Sequence, residues 1–226
     1  MRRVLGLISY ILFNASFLYL LAFLGGFVAD RPAASSAAAA IAIDLGLLAL
    51  FAVTHSAMAR RGFKRWWTRI VTPQAERSVF VLVAALQVAL ICWQWRPIPG
   101  PTLWSATGWA AKALIAAELV GFAIALVSTF LIDHFELFGL RQAFGATRPA
   151  TFRTPLLYRV VRHPLYLGLV IALWAAPQMG IGRLVLAAGM TLYIVVGATL
   201  EERDLVETFG DDYRRYQREV PMIIPH

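Results

Sequence analysis

The stretch Arg162-His163-Pro164-Leu165-Tyr166-Leu167-Gly168, read with Glu201-Glu202-Arg203-Asp204, decides how this chain folds. The first cluster opens an apolar run and the second closes it about 33 residues later. Pro177, Gly180 and Gly182 interrupt the run and read as turn signals. Two short apolar segments, 164–177 and 183–199, therefore form a helical hairpin whose arms are short for a full crossing. Polar clusters at its two feet share one depth beside lipid. Such a place can hold a polar cofactor next to a membrane-soluble substrate.

Outward from the hairpin the chain stays apolar. Segments at about 4–28, 37–58, 78–95 and 107–131 are each long enough to cross a bilayer. Of the 226 residues, 59% are hydrophobic and 15% charged, and mean hydropathy is +0.66. Soluble domains carry about 25% charged residues. The expected fold is all-α, a polytopic membrane protein of five to six transmembrane helices including the short C-terminal hairpin. No separate soluble domain fits in this length, and no repeat is visible at solenoid or propeller periods. Residues 1–226 read as one integral membrane domain. Leu5 to Val28 is longer than the apolar core of a signal peptide, so the first segment reads as a retained span.

The net charge of +8 does not point to nucleic acid, because the basic residues sit in short loops beside apolar segments. The segments 1–3, 60–77, 141–162 and 203–218 hold 17 of the 21 Lys and Arg residues. Arg31, Arg96, Arg183 and Lys112 fall on the opposite side. The positive-inside rule then places both termini in the cytoplasm. Trp66-Trp67 and Trp93, Trp95, Trp104 and Trp109 read as interface anchors, and the loop Arg96–Pro101 as a stiff connection. The Ala-rich stretch from Ser35 to Ala40 reads as a helix start. Cys92, the only cysteine, lies in an apolar run and reads as a small hydrophobe. No metal ligands, obligate protein partner or nucleic-acid partner are assigned.

The C-terminal segment 201–220 differs. Leu205, Phe209, Tyr213, Tyr216 and Val220 recur at spacings of three and four, one face of an amphipathic helix. That helix lies on the membrane surface or caps a cytoplasmic site, and Gly210 weakens it.

Several ionisable residues could carry chemistry. His163 precedes Pro164, which suits the first residue of a helix. Free N–H groups and positive potential at such a terminus favour an anionic group. Arg162, His163 and Tyr166 read equally as anchors at a helix start. Glu201 and Glu202, placed at a helix C-terminus, oppose the dipole there and need partners such as Arg162 or Arg203, or a function. His55 lies near the cytoplasmic end of the second span, and Asp133 and His134 at that of the fourth. Near-membrane ionisable groups are functional candidates. Asp44, Gln87 and Glu118 lie deeper and read as interhelical hydrogen-bonding groups.

Tyr158-Arg159-Val160-Val161-Arg162-His163-Pro164-Leu165-Tyr166-Leu167-Gly168, then Glu201-Glu202-Arg203-Asp204-Leu205, Phe209 to Tyr216 and Val220-Pro221 resemble the isoprenylcysteine carboxyl methyltransferase and phospholipid methyltransferase superfamily. Thr54-His55-Ser56-Ala57-Met58-Ala59-Arg60, Phe63-Lys64-Arg65-Trp66-Trp67 and Glu76-Arg77-Ser78 resemble a bacterial branch shared by NnrU-like proteins and methanethiol S-methyltransferases. The stretch Ile132 to Gln142 is similar to the latter in particular. One departure is Pro155-Leu156-Leu157, where many members carry a glycine before the Arg-His-Pro motif.

The resemblance implies S-adenosylmethionine bound by Tyr158, Arg162, His163, Tyr166, Leu167, Glu201 and Glu202, with Gly168 permitting close packing. It divides the chain into 1–140, spans on the substrate side, and 141–226, the cofactor-binding half. It implies methyl transfer to a small thiol, methanethiol to dimethyl sulfide. His134, oriented by Asp133, would be the first candidate base and His55 the second. Two alternatives stay open: a non-catalytic NnrU-like membrane protein, and a methyltransferase acting on a lipid amine or a prenylated cysteine carboxylate.

Overall fold

The computed structural model describes residues 1–28, 31–146 and 151–225. The described chain forms helices α1 (Arg2–Leu24), α2 (Ala37–Ala59), α3 (Arg61–Trp67), α4 (Pro73–Gln94), α5 (Gly108–Ile132), α6 (His134–Leu137), α7 (Leu140–Phe144), α8 (Pro164–Trp174), α9 (Ile181–Phe209) and α10 (Asp211–Glu219). A two-residue ladder, β1 (Trp104–Ser105) with β2 (Gln178–Met179), is the one departure from the all-α expectation among the described residues. Helices α1, α2, α4, α5 and α9 are long and apolar enough to cross a membrane. Local signals set their starts: Ser36 caps α2 by accepting from Ala39 N at 3.1 Å, and Pro73 and Pro164 open α4 and α8.

The chain divides into two compact units, Met1–Pro101 with His134–Arg148, and Thr102–Asp133 with Pro149–His226. In the first unit α4 packs against α1, α2 and α7. Its core holds Phe80, Val81 and Phe138, with Tyr10, Phe13 and Met58 against them. Gln87 Nε2 donates to Thr54 Oγ1, an interhelical bond of the kind expected of Gln87. Asp44, 0% exposed, accepts from the Arg96 backbone N–H at 2.9 Å, just past the end of α4. A carboxylate buried in α2 thereby satisfies a backbone N–H of the chain leaving α4.

In the second unit α5 and α8 run in close contact. At 11 residues, α8 is about 16 Å long, roughly half the hydrocarbon thickness. The chain then continues extended, and β2 pairs antiparallel with β1, Trp104 opposite Met179. Trp104 Nε1 donates to Ala176 O at 2.9 Å, and Leu103 N to Met179 O at 2.8 Å. The tip of the hairpin therefore reaches the end of α5 at which α5 begins. A short helix plus extended chain covers the path that a longer helix would have covered.

Ending a helix within an apolar layer exposes carbonyls that need donors. Arg183 supplies them: its guanidinium donates to Leu173 O at 3.0 Å and Ala172 O at 2.9 Å, and pairs with Glu118 at 3.3 Å. Arg183 lies in the first turn of α9. It is turned inward, with Glu118 balancing its charge.

Two further expectations change. Glu201 to Asp204 do not close the helix of the hairpin, because α9 continues through them to Phe209. No breaker precedes Gly210, so the carboxylates lie inside the helix and do not face its C-terminal dipole. The amphipathic segment 201–220 is two helices, split at Gly210, whose φ of 59° and ψ of −128° strain any residue with a side chain. The apolar face of α10 turns onto its own unit: Tyr213 and Tyr216 are buried and pack around Phe152.

Candidate functional site

Pro164 starts α8 and leaves Arg162 and His163 just ahead of its first turn. Glu202 projects toward them from α9. Arg162 Nε donates to Glu202 Oε1 at 2.6 Å and Nη2 to Oε2 at 3.2 Å, a two-pronged ion pair. His163 Nε2 lies 3.2 Å from Oε1, and Gln217 Nε2 donates to Oε2 at 2.9 Å. Four nitrogens thus surround one carboxylate that is 8% exposed. Arg162 Nη1 also donates to Gln217 O and Val220 O.

Glu201, one residue earlier, is different. It is exposed, and it accepts from the Tyr166 hydroxyl at 2.8 Å. The Tyr166 ring in turn stacks on His163, centroids 5.3 Å apart. The two adjacent carboxylates therefore have unlike tasks. Glu202 is consumed by protein donors and locks the start of α8. Glu201 keeps acceptor capacity for a hydroxyl or an ammonium group.

Tyr158 and Gly168 play packing parts. Tyr158 is buried on the 3-10 turn Leu156–Arg159, and its hydroxyl donates to Ser128 O at 3.3 Å. Burial and the Glu201 carboxylate hold that phenol well above its ordinary pKa, so it remains a donor. Tyr216 donates to Tyr158 O, and burial pushes its phenol up to about 12. Gly168 meets Gly121 backbone to backbone, and Leu167 lies between the polar start of α8 and that contact. A cavity of about 540 Å³ opens in this unit. Arg162, Val170 and Val195 line it, with the tail residues Gln217, Val220 and Met222. The sequence-based site residues did not include these tail positions, although a helix over 201–220 was one reading of a cap on a cytoplasmic site. Nothing in its spacing shows that Pro221 and Met222 return to Arg162.

In the first unit, His134 begins α6 and is 4% exposed. Its Nε2 lies 2.8 Å from the hydroxyl of Tyr10 on α1. Phe135 and Phe138 meet its ring edge-on. His55 also meets this aromatic core, 4.6 Å from Phe80 and 5.1 Å from Phe51 between centroids. Both histidines thus border one apolar cluster, and Tyr10 is a polar partner that sequence reading missed. Tyr10 is one of two tyrosines in an apolar first helix, with Tyr19, and its position carries no signal of its own. Asp133 ends α5 in the second unit, one residue before His134.

The NnrU family model, described as NnrU protein, matches residues 45–223. The chain is similar to methanethiol S-methyltransferase 2 of Bradyrhizobium diazoefficiens, 47% identical over 228 residues, covering 97% of this chain and 88% of that protein. It is 48% identical over 232 residues to methanethiol S-methyltransferase of Mycobacterium tuberculosis, covering 98% and 95%. Nurim of Pan troglodytes is 33% identical over 180 residues, covering 74% and 68%. No solved structure matches the chain at a significant level.

Proposed function

Because the chain belongs to the NnrU family, we propose that it is an integral membrane methyltransferase, converting methanethiol to dimethyl sulfide with S-adenosylmethionine as methyl donor. The observation that carries this reading is the likeness, over nearly the whole chain, to proteins named for that activity. Placement in a bacterial inner membrane, with both termini cytoplasmic, agrees with the basic loops.

The residues of the second unit fit such a donor. Glu201 is an exposed carboxylate with free acceptor capacity, suited to ribose hydroxyls or an ammonium group. The N–H groups of Leu165 and Tyr166 lie in the first turn of α8, where a helix has no acceptor for them, and suit a carboxylate. Arg162, His163 and Glu202 hold that turn in place. When bound, S-adenosylmethionine would supply an electrophilic methyl group on its sulfonium, for transfer to a thiolate with S-adenosylhomocysteine as the leaving group. Only a small fraction of an alkyl thiol is ionised at pH 7. His134, with Tyr10 on its Nε2, is the candidate acceptor of the thiol proton, and His55 the second. Both rest against aromatic surface that suits an apolar thiol.

Purified protein incubated with donor and methanethiol should release dimethyl sulfide into the headspace. Product no greater than in a boiled control would reject the acceptor. Glu201→Gln should weaken binding of S-adenosylhomocysteine by about tenfold, read by calorimetry, as loss of a charge-assisted hydrogen bond costs. His134→Asn should lower turnover at pH 7 by about 10²-fold with donor affinity unchanged. That deficit should shrink as pH rises and the thiol ionises unaided. A deficit constant across pH would remove His134 as the base.

A further inference from the structure

We infer that Gln217 is a positioning residue of the donor site and that Gln217–Met222 is its built-in strap, an inference that rests on the methyltransferase reading. Of the four nitrogens on the Glu202 carboxylate, three belong to Arg162 and His163. The fourth, Gln217 Nε2, comes from α10, beyond the break at Gly210. The same residue returns the contact, because Arg162 Nη1 donates to Gln217 O at 3.0 Å. The chain then runs alongside the start of α8. Arg162 N donates to Pro221 O at 2.9 Å, and His163 N to Met222 O at 3.0 Å.

These bonds fix Arg162 and His163 from a side that neither α8 nor α9 provides. Backbone pairing sets where the first turn of α8 begins. Arg162 and Gln217 together donate three hydrogen bonds to Glu202 and set its rotamer. With Glu202 held, Tyr166 is presented to Glu201, and the N–H groups of Leu165 and Tyr166 stand in the first turn of α8, where the helix offers them no acceptor. The strap also walls the cavity beside Arg162. Gln217 touches no reacting atom in this scheme. It acts through Glu202 on how the donor is held.

Gln217→Ala and Gln217→Glu test this in the full-length protein. Gln217→Ala should raise the Kd for S-adenosylhomocysteine and the KM for the donor together, by about tenfold. Turnover at saturating donor, and the KM for the thiol, should stay within about twofold. Gln217→Glu sets a second carboxylate against Glu202, and like charges at that distance cannot both remain ionised without cost. Its donor affinity should be weaker than that of Gln217→Ala at about pH 8 and recover by about pH 6, as the pair takes up a proton. Loss of packing alone would give no such recovery. Wild-type affinity in both variants would overturn the positioning role, as would a pH-independent loss in Gln217→Glu that lowers turnover equally. Failure of the wild-type protein to bind S-adenosylhomocysteine would instead remove the methyltransferase reading.

Discussion

Gly168→Ala is expected to lower the melting temperature by about 6–12 °C, with most donor binding lost alongside. A Cβ on residue 168 would stand 2.5 Å from Gly121 O, 2.6 Å from Ala125 N and 3.2 Å from Ala125 Cα. All three are backbone atoms of α5, so no rotamer change relieves the clash. The contact is reciprocal: a Cβ on residue 121 would meet Gly168 O at 2.6 Å and Ala172 N at 2.7 Å. Helices in lipid associate through such small-residue faces. Adding a methyl group there pushes α5 and α8 apart, at a cost of about 3 kcal/mol by analogy with overpacked cores, or about 2–4 °C per kcal/mol for a chain this size. Because α8 carries Arg162 and His163 ahead of its first turn, the site shifts with it. Gly197→Ala and Gly46→Ala are the controls. Their added Cβ meets nothing within 4 Å, so their melting temperatures should stay near wild type. Wild-type stability in Gly168→Ala would refute the close crossing.

How much of this was legible beforehand depends on which physics each feature obeys. Four of the five helices long enough to cross were readable because length and apolarity alone meet the demand of a bilayer; the fifth, α9, was read as a short hairpin arm because its apolar run ends near residue 199 while the helix continues to Phe209. The pairing of Arg162 with a carboxylate at 201–202 was readable as a need, since charges beside lipid require partners. The choice of Glu202 over Glu201 was not, because the two differ by one position and only their angle on α9 separates them. The inward turn of Arg183 was not legible for a related reason. Counting basic residues assigns a side of the membrane but not a direction, and this side chain turns back to cap α8. Tyr10, Gln217 and the strap stayed hidden because they join His134, Glu202 and Arg162 over long sequence separations, where periodicity carries no information.

Arg162→Ala should abolish measurable donor binding and destabilise the second unit more than any other single change at the site. The guanidinium holds both oxygens of Glu202 and two carbonyls of the strap, at Gln217 and Val220. Its removal leaves a nearly buried carboxylate without its main counter-charge. Breaking a buried pair from one side costs about 3–5 kcal/mol, much of it the penalty on the charge left behind. Arg162→Lys should recover only part of the loss. A lysine restores the charge, but its single ammonium cannot span Oε1, Oε2 and the strap carbonyls at once. The discriminating variant is the double replacement Arg162→Ala with Glu202→Gln. If the penalty is the orphaned charge, the double variant should melt higher than Arg162→Ala alone while still failing to bind donor. Additive losses in that cycle would mean that the two side chains act independently, and the lock at the start of α8 would have to be abandoned.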